Sequence, residues 1–432
     1  YGKTMHYAGD RFVHTFSALL PPEPWFESHP EYFALREDGE RDRGALCLSH
    51  PEVVRLLTRG ALDALEADPA ADILSVSQND NPQYCHCPAC QAVADEEGSQ
   101  AGPLIRAVNA VAAAVAQRHP HVLVDTLAYM YSRKPCRTKP ADNVIVRLCS
   151  FECEFDTTLD DPQREPNAGF AADLEGWSQL TNRLYVWDYT TDFDIYLQTF
   201  PNFHVLQPNI QYLLRHHVTG IFEQGNREPD GEFGALRAYL LAKLLWNPEE
   251  DVQALTDGFL EHYYGKGWRH LKAYITGFEE LIRELAMITD EERRILEGKQ
   301  EIDPQLYTEK KEMVVDSAKL LKKGKLIQVR PHTRFVHFPA HTHNYIEVIY
   351  MCQGTTTHIV NGNQVVLEQG DLLFLNQNAV QEILPAGEYD IAVNFIVLPE
   401  FFNTAFSMIG AEENQLKDFL VGALCGRDEE TS

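Results

Sequence analysis

The sequence lacks any apolar run of the roughly 20 residues that a membrane-spanning helix needs, and it is short of basic side chains. Its 432 residues include 37 lysines and arginines against 64 aspartates and glutamates, a formal net charge of −27. Such a charge repels phosphate, which argues against docking on nucleic acid or on an anionic membrane surface. The N-terminus also lacks the basic-then-apolar pattern of a signal peptide. We therefore expect a soluble protein with no direct nucleic-acid binding and no membrane partner.

Cysteines are few and odd in number, nine in all, and three of them lie close together as Cys85, Cys87 and Cys90. This spacing fits thiolate chemistry better than a secreted disulfide framework, so a reducing, cytoplasmic setting is predicted. A C-x-C-x2-C run joined by a further cysteine or by His86 is able to complete a tetrahedral zinc site, although the paired C-x2-C knuckles of a clean zinc pattern are missing. Buried or free thiols are the alternative interpretation.

The first 250 residues alternate short β-rich runs with helical patterns, which predicts an α/β fold with a parallel sheet. The candidate strands are near-continuous apolar runs, as expected for strands buried on both faces. They span residues 12–19, 72–78, 121–129, 143–150, 183–189 and 218–224. Polar residues at the carboxyl ends of many strands favour an incomplete TIM-barrel-like (β/α) barrel over an open doubly wound sheet.

The pattern changes near residue 285. Residues 326–398 consist of short β segments broken by turns such as the Asn-Gly-Asn of 361–363, which is typical of an all-β barrel or sandwich. We predict two domains, residues 1–285 and 287–432, with a helix over 401–424 near the end of the second.

Four strand ends of the first domain carry acidic residues suited to sugar chemistry. They are Asp80, Glu152, Asp188 and Glu223. Glycoside cleavage needs one protonated carboxyl group as general acid and one ionised carboxylate as base or nucleophile. The nearby Asn79, Trp187 and Tyr189 supply an amide and apolar ring faces for sugar contacts. The alternative is that these acids are solvated or cap the following helices.

Residues 13–275 resemble a bacterial family catalogued as domain of unknown function 4838, grouped with the TIM-barrel glycoside hydrolases. The resemblance is carried by "HTF", "SVSQND", "CHCPAC", "VWDYT" and "FEQG". It implies a barrel related to α-glucuronidases and hexosaminidases that acts on a carbohydrate. The family's first barrel strands have no counterpart here, so a truncated barrel is expected.

The same resemblance implies roles for individual residues. Asp80 would be the general acid and Glu152 or Asp188 the base. Glu223 would be an alternative base or a substrate ligand. His14, together with Trp187, would contact the sugar.

The stretch "HTHNYIEVIYMCQG" matches the first motif of metal-binding cupins, with His341, His343 and Glu347 at the ligand positions. In the second motif, Gln381 stands where the third histidine belongs. An amide oxygen is a poor ligand for the metals that imidazole sites prefer. These four residues are therefore predicted to line an effector pocket, and metal binding is the less favoured alternative.

Residues 287–425 resemble the N-terminal sensing domain of AraC-family transcription regulators, on "FPAHTHNYIEVIYMCQG", "GDLLFLNQNAVQEILPAG" and "IAVNFIVLPEFF". The resemblance implies a β-barrel pocket for a small effector, often a sugar, followed by a dimerisation helix, so a homodimer is expected. The helix-turn-helix motifs of such regulators have no counterpart in the sequence. Two functions remain open: an enzyme acting on a carbohydrate, and a non-catalytic ligand-binding fragment of a regulator.

Overall fold

The computed structural model describes residues 5–193, 200, 202–227, 231–298, 302, 307–308, 313–322, 324–399 and 401. The chain divides into two compact units, Tyr1–Arg269 and His270–Ser432. Among the described residues no helix is both long enough and apolar enough to cross a bilayer. The helix predicted over 401–424 lies outside the described residues, apart from Phe401.

A short antiparallel hairpin comes first in the first unit, with strands β1 (Phe33–Leu35) and β2 (Arg41–Leu46). A five-stranded parallel sheet follows, and its strands lie side by side in chain order. They are β3 (Ile73–Ser75), β4 (Leu123–Ala128), β5 (Val144–Cys149), β6 (Leu184–Tyr189) and β7 (Val218–Gln224). The structure thus confirms an α/β fold with a parallel sheet, and it confirms five of the six predicted strands.

Helices connect most of the strands, and several of them pack against one face of the sheet. They are α1 (Phe16–Leu19), α2 (Pro51–Ala67), α3 (Pro88–Glu97), α4 (Ala101–Arg118), α5 (Glu165–Leu180), α6 (Phe203–Arg215), α7 (Gly234–Trp246), α8 (Val252–Tyr264) and α9 (Trp268–Ala286). The connection from β4 to β5 contains only a 3-10 turn, Met130–Ser132.

The strand predicted over residues 12–19 is wrong. Phe16 and Leu19 lie one turn apart in α1 and both enter the core. That spacing suits a helix, in which side chains three and four apart share a face. The backbone N–H groups of Thr15 and Phe16 donate to the carbonyl of Ser77, at 3.1 Å each, so this segment contacts the end of β3 without pairing as a strand.

The two faces of the parallel sheet differ because side chains alternate along a strand. On the helix-facing side, Val146 and Val186 pack with Trp177 of α5 in the main apolar core. On the other side, Arg147 of β5 pairs with Asp125 of β4 at 2.5 Å, and both side chains are almost fully buried. The Arg147–Asp125 ion pair thus lies on the face opposite the main apolar core.

The second unit contains α9 apart from its first two residues, the helices α10 (Asp290–Leu296) and α11 (Ser317–Leu320), and nine strands among its described residues. The strands are β8 (Val314–Val315), β9 (Ile327–Pro331), β10 (Phe338–His343), β11 (Ile346–Gln353), β12 (Thr355–Val360), β13 (Asn363–Glu368), β14 (Leu372–Leu375), β15 (Gln381–Ile383) and β16 (Ile391–Val397). They form one sheet of order β13-β12-β15-β10-β8 and another of order β14-β11-β16-β9.

Apolar side chains from both sheets meet in one cluster. Phe338 and Ile383 come from the five-stranded sheet and Ile396 from the four-stranded one. Two sheets packed face to face in this way form a cupin-like β region, as predicted for this part of the chain.

Helix α10 is fastened to this β region by a buried ion pair. The Arg334 Nε donates to Glu292 Oε1 at 2.7 Å, and both side chains are 2% exposed. The Glu292 carboxylate also accepts from the backbone N–H of Thr289, whose hydroxyl caps the same helix. A capping box and an ion pair therefore share one carboxylate.

Candidate functional site

Aromatic rings line the carboxyl ends of β4, β5 and β6. Ring centroids lie 5.7 Å apart for Tyr129 and Phe151, 5.9 Å for Phe151 and Tyr189, and 6.1 Å for Tyr189 and Trp187. The His14 ring lies 6.4 Å from that of Tyr129. We call these five residues the aromatic edge. The predicted sugar contacts His14, Trp187 and Tyr189 are thus brought together, in a row suited to the apolar faces of sugar rings.

Asp80 joins the aromatic edge through Tyr129. The Tyr129 hydroxyl donates to Asp80 Oδ1 at 3.1 Å. Burial, and then the charge of Asp80, raises the pKa of Tyr129, so the phenol stays protonated and can keep donating. The flanking Asn79 and Asn81 donate their side-chain amides to the Gly44 carbonyl, at 2.7 and 3.3 Å. Asn79 therefore anchors the loop that carries Asp80.

Glu152 lies beyond the end of β5, near the same rings. Its Oε2 accepts from Arg133 Nη1 at 3.1 Å, and Arg133 also pairs with Asp173 at 2.8 Å. Burial raises the pKa of Tyr189, and the charges of Asp80 and Glu152 are among the smaller contributions. The charges of two predicted catalytic carboxylates, Asp80 and Glu152, therefore both contribute to the raised pKa of Tyr189.

Asp188 and Glu223 form a separate pair. They are direct neighbours in the register of β6 and β7 and line one small cavity with Asn202 and Asn209. Ser150 Oγ donates to Asp188 Oδ1 at 2.6 Å. Burial raises the pKa of Asp188 to about 6. Burial, and then the charge of Asp188, raises the pKa of Glu223, whose Oε2 has no hydrogen-bond partner among the described residues.

This second pair lies on the helix-facing side of the sheet. Asp188 follows the buried Val186 by two positions and so shares its face. Trp187 points the other way, where its Nε1 donates to Gln224 Oε1 at 2.7 Å. The structure therefore brings Asp80 and Glu152 to the aromatic edge, whereas Asp188 and Glu223 face a cavity on the helix-facing side, which Tyr189 also lines.

Four cysteines converge in the first unit and could hold a metal ion. The sulfur atoms of Cys47, Cys85, Cys87 and Cys90 all lie within 4.8 Å of one another. A hydrogen bond between the Cys47 and Cys85 thiols lowers the pKa of Cys85 and raises that of Cys47. The Nδ1 of His86 lies 3.8 Å from a Glu37 carboxylate oxygen, and His86 is not part of the cluster.

Cys47 is the ligand candidate that sequence spacing missed. It stands 40 residues before Cys87, directly after β2, and no motif links it to the C-x-C-x2-C run. Only the hairpin brings it to the cluster. Pairing of β1 with β2 places the end of β2 near the cysteines, and the backbone N–H of Leu35 in β1 donates to Cys85 Sγ at 3.3 Å.

The second unit contains a polar pocket between its sheets. His341, His343 and Glu347 line it, as predicted. Burial lowers the pKa of both histidines to about 4 and raises that of Glu347. His341 Nδ1 lies 2.8 Å from the Pro339 carbonyl, so this nitrogen carries the proton and Nε2 is the acceptor of the ring. In the described part of the chain, these three side chains do not converge as closely as the cysteines do.

Gln381 is buried beside this pocket but is turned toward another histidine. It faces His341 across the β10–β15 ladder, and its Nε2 donates to His358 Nδ1 at 3.0 Å. The second cupin motif thus contributes a hydrogen bond inside the barrel.

Sequence reasoning missed two further pocket residues, His332 and Asn394. Asn394 donates to Glu347 Oε1 at 3.0 Å, and its Oδ1 lies 2.9 Å from His332 Nδ1. Three buried polar atoms have no hydrogen bond among the described residues: His332 Nε2, His343 Nδ1 and Glu347 Oε2, the last of which lies 3.4 Å from His343 Nε2. Unpaired buried groups are costly, so such a cluster points to a polar ligand. His332 lies outside both cupin motifs, and no spacing rule could have identified it.

Two family descriptions match the chain. The domain of unknown function DUF4838 matches residues 2–276. The AraC-like ligand binding domain matches residues 328–398. A comparison with curated proteins gave no match.

Solved cupin structures resemble a short part of the chain. The EutQ protein of Clostridium difficile is 21% identical over 17% of this chain and 55% of its own, with a TM-score of 0.15. An RmlC-like cupin from Shewanella frigidimarina is 20% identical over 16% of this chain and 65% of its own, also with a TM-score of 0.15. The chain spans less than two thirds of the length of each of these structures. A similarity this low gives no information about the activity of this chain.

Proposed function

The chain belongs to the family described as domain of unknown function DUF4838, and from that membership we propose that its first unit binds a carbohydrate along the aromatic edge and cleaves a glycosidic bond there. The observation that carries the proposal is the position of Tyr129. Its hydroxyl orients Asp80, and its ring lies in the row beside which Glu152 stands.

The two carboxylates suit different roles. Glu152, whose carboxylate pairs with Arg133 Nη1 at 3.1 Å, is the group we assign as base or nucleophile. Asp80 is the group we assign as general acid: in its protonated form the carboxyl group, beside the Tyr129 oxygen, gives its proton to the leaving-group oxygen. We leave Asp188 and Glu223 out of the acid–base pair because their side chains lie on the helix-facing side of the sheet.

An incomplete TIM-barrel-like fold is part of this proposal. Five parallel strands in unbroken chain order match a section of a (β/α) barrel. A doubly wound sheet reverses its strand order at a switch point, and these strands do not reverse. The rings and acids at the carboxyl ends of the strands are where barrel enzymes place their sites.

For the second unit we propose binding of a small polar molecule, such as a sugar, without a metal ion. His332 Nε2 and His343 Nδ1, both buried and without a hydrogen bond among the described residues, support this function. The match of residues 328–398 to the AraC-like ligand binding domain supports it too. If the first unit proves inactive, the second candidate function follows: a ligand-binding fragment of a transcription regulator.

The proposal also covers the cellular location, the bound metal and the oligomeric state. The described cysteines form no disulfides, which supports a reducing, cytoplasmic location. We also propose zinc at the cysteine cluster in a supporting role, a homodimer formed through residues 401–424, and a functional boundary near residue 285.

Replacement of the two carboxylates tests the enzymatic proposal. We expect the wild-type chain to cleave at least one member of a panel of aryl glycosides and aryl uronides. Asp80→Asn and Glu152→Gln should each lower kcat by a factor of roughly 100 or more, because general acid–base groups contribute that much. Glu154→Gln is the matched control, since Glu154 lies in the same loop and pairs with Arg164 at 3.0 Å.

The outcomes separate the two candidate functions. Loss of turnover in the first two variants, with the control unchanged, supports the acid–base pair. A wild-type chain that binds oligosaccharides in a calorimeter but cleaves none of the panel contradicts the enzymatic proposal and supports the binding function.

A further inference from the structure

The cysteine cluster has the dimensions of a tetrathiolate metal centre. Cys47 Sγ lies 3.6 Å from Cys87 Sγ and 3.8 Å from Cys90 Sγ. Thiolates at about 2.3 Å from a tetrahedral zinc ion are about 3.8 Å apart. A disulfide needs about 2.05 Å, so these contacts are not bonded pairs. The spacing therefore fits one ion shared by four sulfur atoms.

The surrounding backbone favours thiolates rather than thiols. The Leu35 N–H donates to Cys85 Sγ at 3.3 Å, and the Cys90 N–H donates to Cys87 Sγ at 3.4 Å. Cys87 is also the N-cap of α3, where the helix dipole stabilises negative charge. These donors are independent of the sulfur–sulfur distances. They would stabilise the charge that coordination leaves on the sulfur atoms of Cys85 and Cys87.

We propose that Cys47, Cys85, Cys87 and Cys90 bind one divalent metal ion, preferably zinc, in a closed structural centre. With four protein ligands no coordination position remains for water or substrate, so the centre is not catalytic. On binding, the thiols release their protons to solvent and four metal–sulfur bonds form, with no change in oxidation state.

The centre ties the hairpin to the loop that carries Asp80. Cys47 follows β2, whereas Cys85 and Cys87 lie between Asp80 and α3. The hairpin also accepts the hydrogen bonds from Asn79 and Asn81 at Gly44. The loop is thus anchored on both sides of Asp80, and metal loading should keep it in place. This last consequence rests on the function proposed for Asp80, but the metal site itself does not.

Metal analysis of the full chain tests the site. We expect about one zinc per chain by mass spectrometry of the purified protein, as for other structural four-ligand sites. Cys47→Ser should lose the ion. Cys136→Ser should keep it, because Cys136 is a buried thiol outside the cluster, bonded to the Thr138 carbonyl. A wild-type chain without stoichiometric metal, or a Cys47→Ser chain that retains it, overturns the proposal.

Cobalt substitution covers the case in which Cys47→Ser fails to fold. Wild-type protein refolded with Co²⁺ should show intense sulfur-to-cobalt charge-transfer bands and the visible bands of a tetrahedral site. Absence of these bands overturns the assignment.

Hydrogen exchange tests the anchoring of the loop. Removal of the metal with a chelator should speed exchange over residues 79–90 and leave α2 unchanged. Equal exchange in both states overturns the anchoring role. Neither the metal content nor the cobalt spectrum depends on glycosidase activity, so a failure of the site and a failure of the proposed function are distinguishable.

Discussion

Trp187 and Asp188 are adjacent in β6, yet their side chains lie on opposite faces of the sheet. Trp187 bonds to Gln224 on the face that carries the aromatic edge. Asp188 accepts from Ser150 and shares a cavity with Glu223 on the helix-facing side. Two consecutive residues of one strand therefore belong to two different sites, the surface proposed for sugar binding and a buried carboxyl pair. We make one prediction for each site.

Removal of an exposed ring from the aromatic edge should weaken carbohydrate binding. Phe151 is 49% exposed and lies between Tyr129 and Tyr189. We expect Phe151→Ala to reduce oligosaccharide affinity about fivefold in calorimetry, since one stacked ring contributes about 1 kcal/mol. Trp246→Ala is the control, because this ring is 92% exposed on α7. Equal affinities for Phe151→Ala and the wild type would exclude the aromatic edge as the binding surface.

Asp188→Asn should stabilise the first unit at high pH. An acid whose pKa is raised on folding contributes stability below its unfolded pKa and loses it as pH rises through the folded value. For Asp188 that window runs from about 3.9, the value of an unfolded aspartate, to about 6. Asparagine keeps an acceptor for Ser150 without the charge. The free energy of unfolding should therefore rise by about 2–3 kcal/mol at pH 8 and change little at pH 4.

Asp125→Asn makes the same aspartate-to-asparagine change as Asp188→Asn, but we expect it to destabilise the first unit. Asp125 pairs with the buried Arg147, so loss of its charge leaves a guanidinium without a counterion. We expect a loss of about 3–5 kcal/mol in thermal or denaturant unfolding. The proposed roles of the two aspartates would be contradicted if both variants moved stability in the same direction.

The sequence was most informative where periodicity and turns are local. The five apolar strand runs and the β segments of residues 326–398 are found in the structure. They were predictable because a strand buried on both faces has a continuous apolar run, and a strand buried on one face has alternating apolar and polar residues. The hairpin of β1 and β2 was missed because β1 is only three residues long and β2 begins with three polar residues before a glycine. A strand as short as β1, or one that begins with as many polar residues as β2, gives no periodic signal.

The candidate site was predictable only in part, and the reason is geometric. Strand ends identified Asp80, Glu152, Asp188 and Glu223, but the face on which each side chain lies depends on strand register to within one residue. Cys47 and His332 were missed because each comes to its site through pairing with a segment distant in sequence. Contacts of that kind leave no spacing rule.

Breaking the Arg334–Glu292 pair should unfold the second unit selectively. Arg334 also donates to the carbonyls of Ala286, Met287 and Glu388, so Arg334→Met leaves a buried carboxylate and several unpaired acceptors. We expect a loss of about 3–5 kcal/mol. Arg293→Met is the control, since Arg293 is 63% exposed and pairs loosely with Asp290 at 3.6 Å.

Tryptophan fluorescence separates the two units in that experiment. All five tryptophans lie before residue 270. The fluorescence transition should therefore stay in place in Arg334→Met while a calorimetric transition moves to lower temperature. If both transitions shifted together, or neither did, the assignment of the ion pair to the second unit would be wrong.

Acid should destabilise the second unit through its buried histidines. Burial lowers the pKa of His341 from 6.5 to about 4. A base with a lowered pKa contributes stability above its unfolded pKa and loses it as pH falls toward the folded value. Between pH 7.5 and 5, His341 alone should therefore cost about 2 kcal/mol. Glu347 acts in the opposite sense, because burial raises its pKa and acid favours its protonated native form.

The variant His341→Gln separates the effect of His341 on stability from the opposite effect of Glu347. His341→Gln should flatten the fall in unfolding free energy between pH 7.5 and 5, because glutamine does not titrate. His337→Gln is the control and should leave the fall unchanged, since His337 is 48% exposed and lies outside the buried pocket. Calorimetry of both variants at each pH gives the comparison. An unchanged slope in His341→Gln would mean that the native barrel accepts a proton at this site as readily as the unfolded chain does.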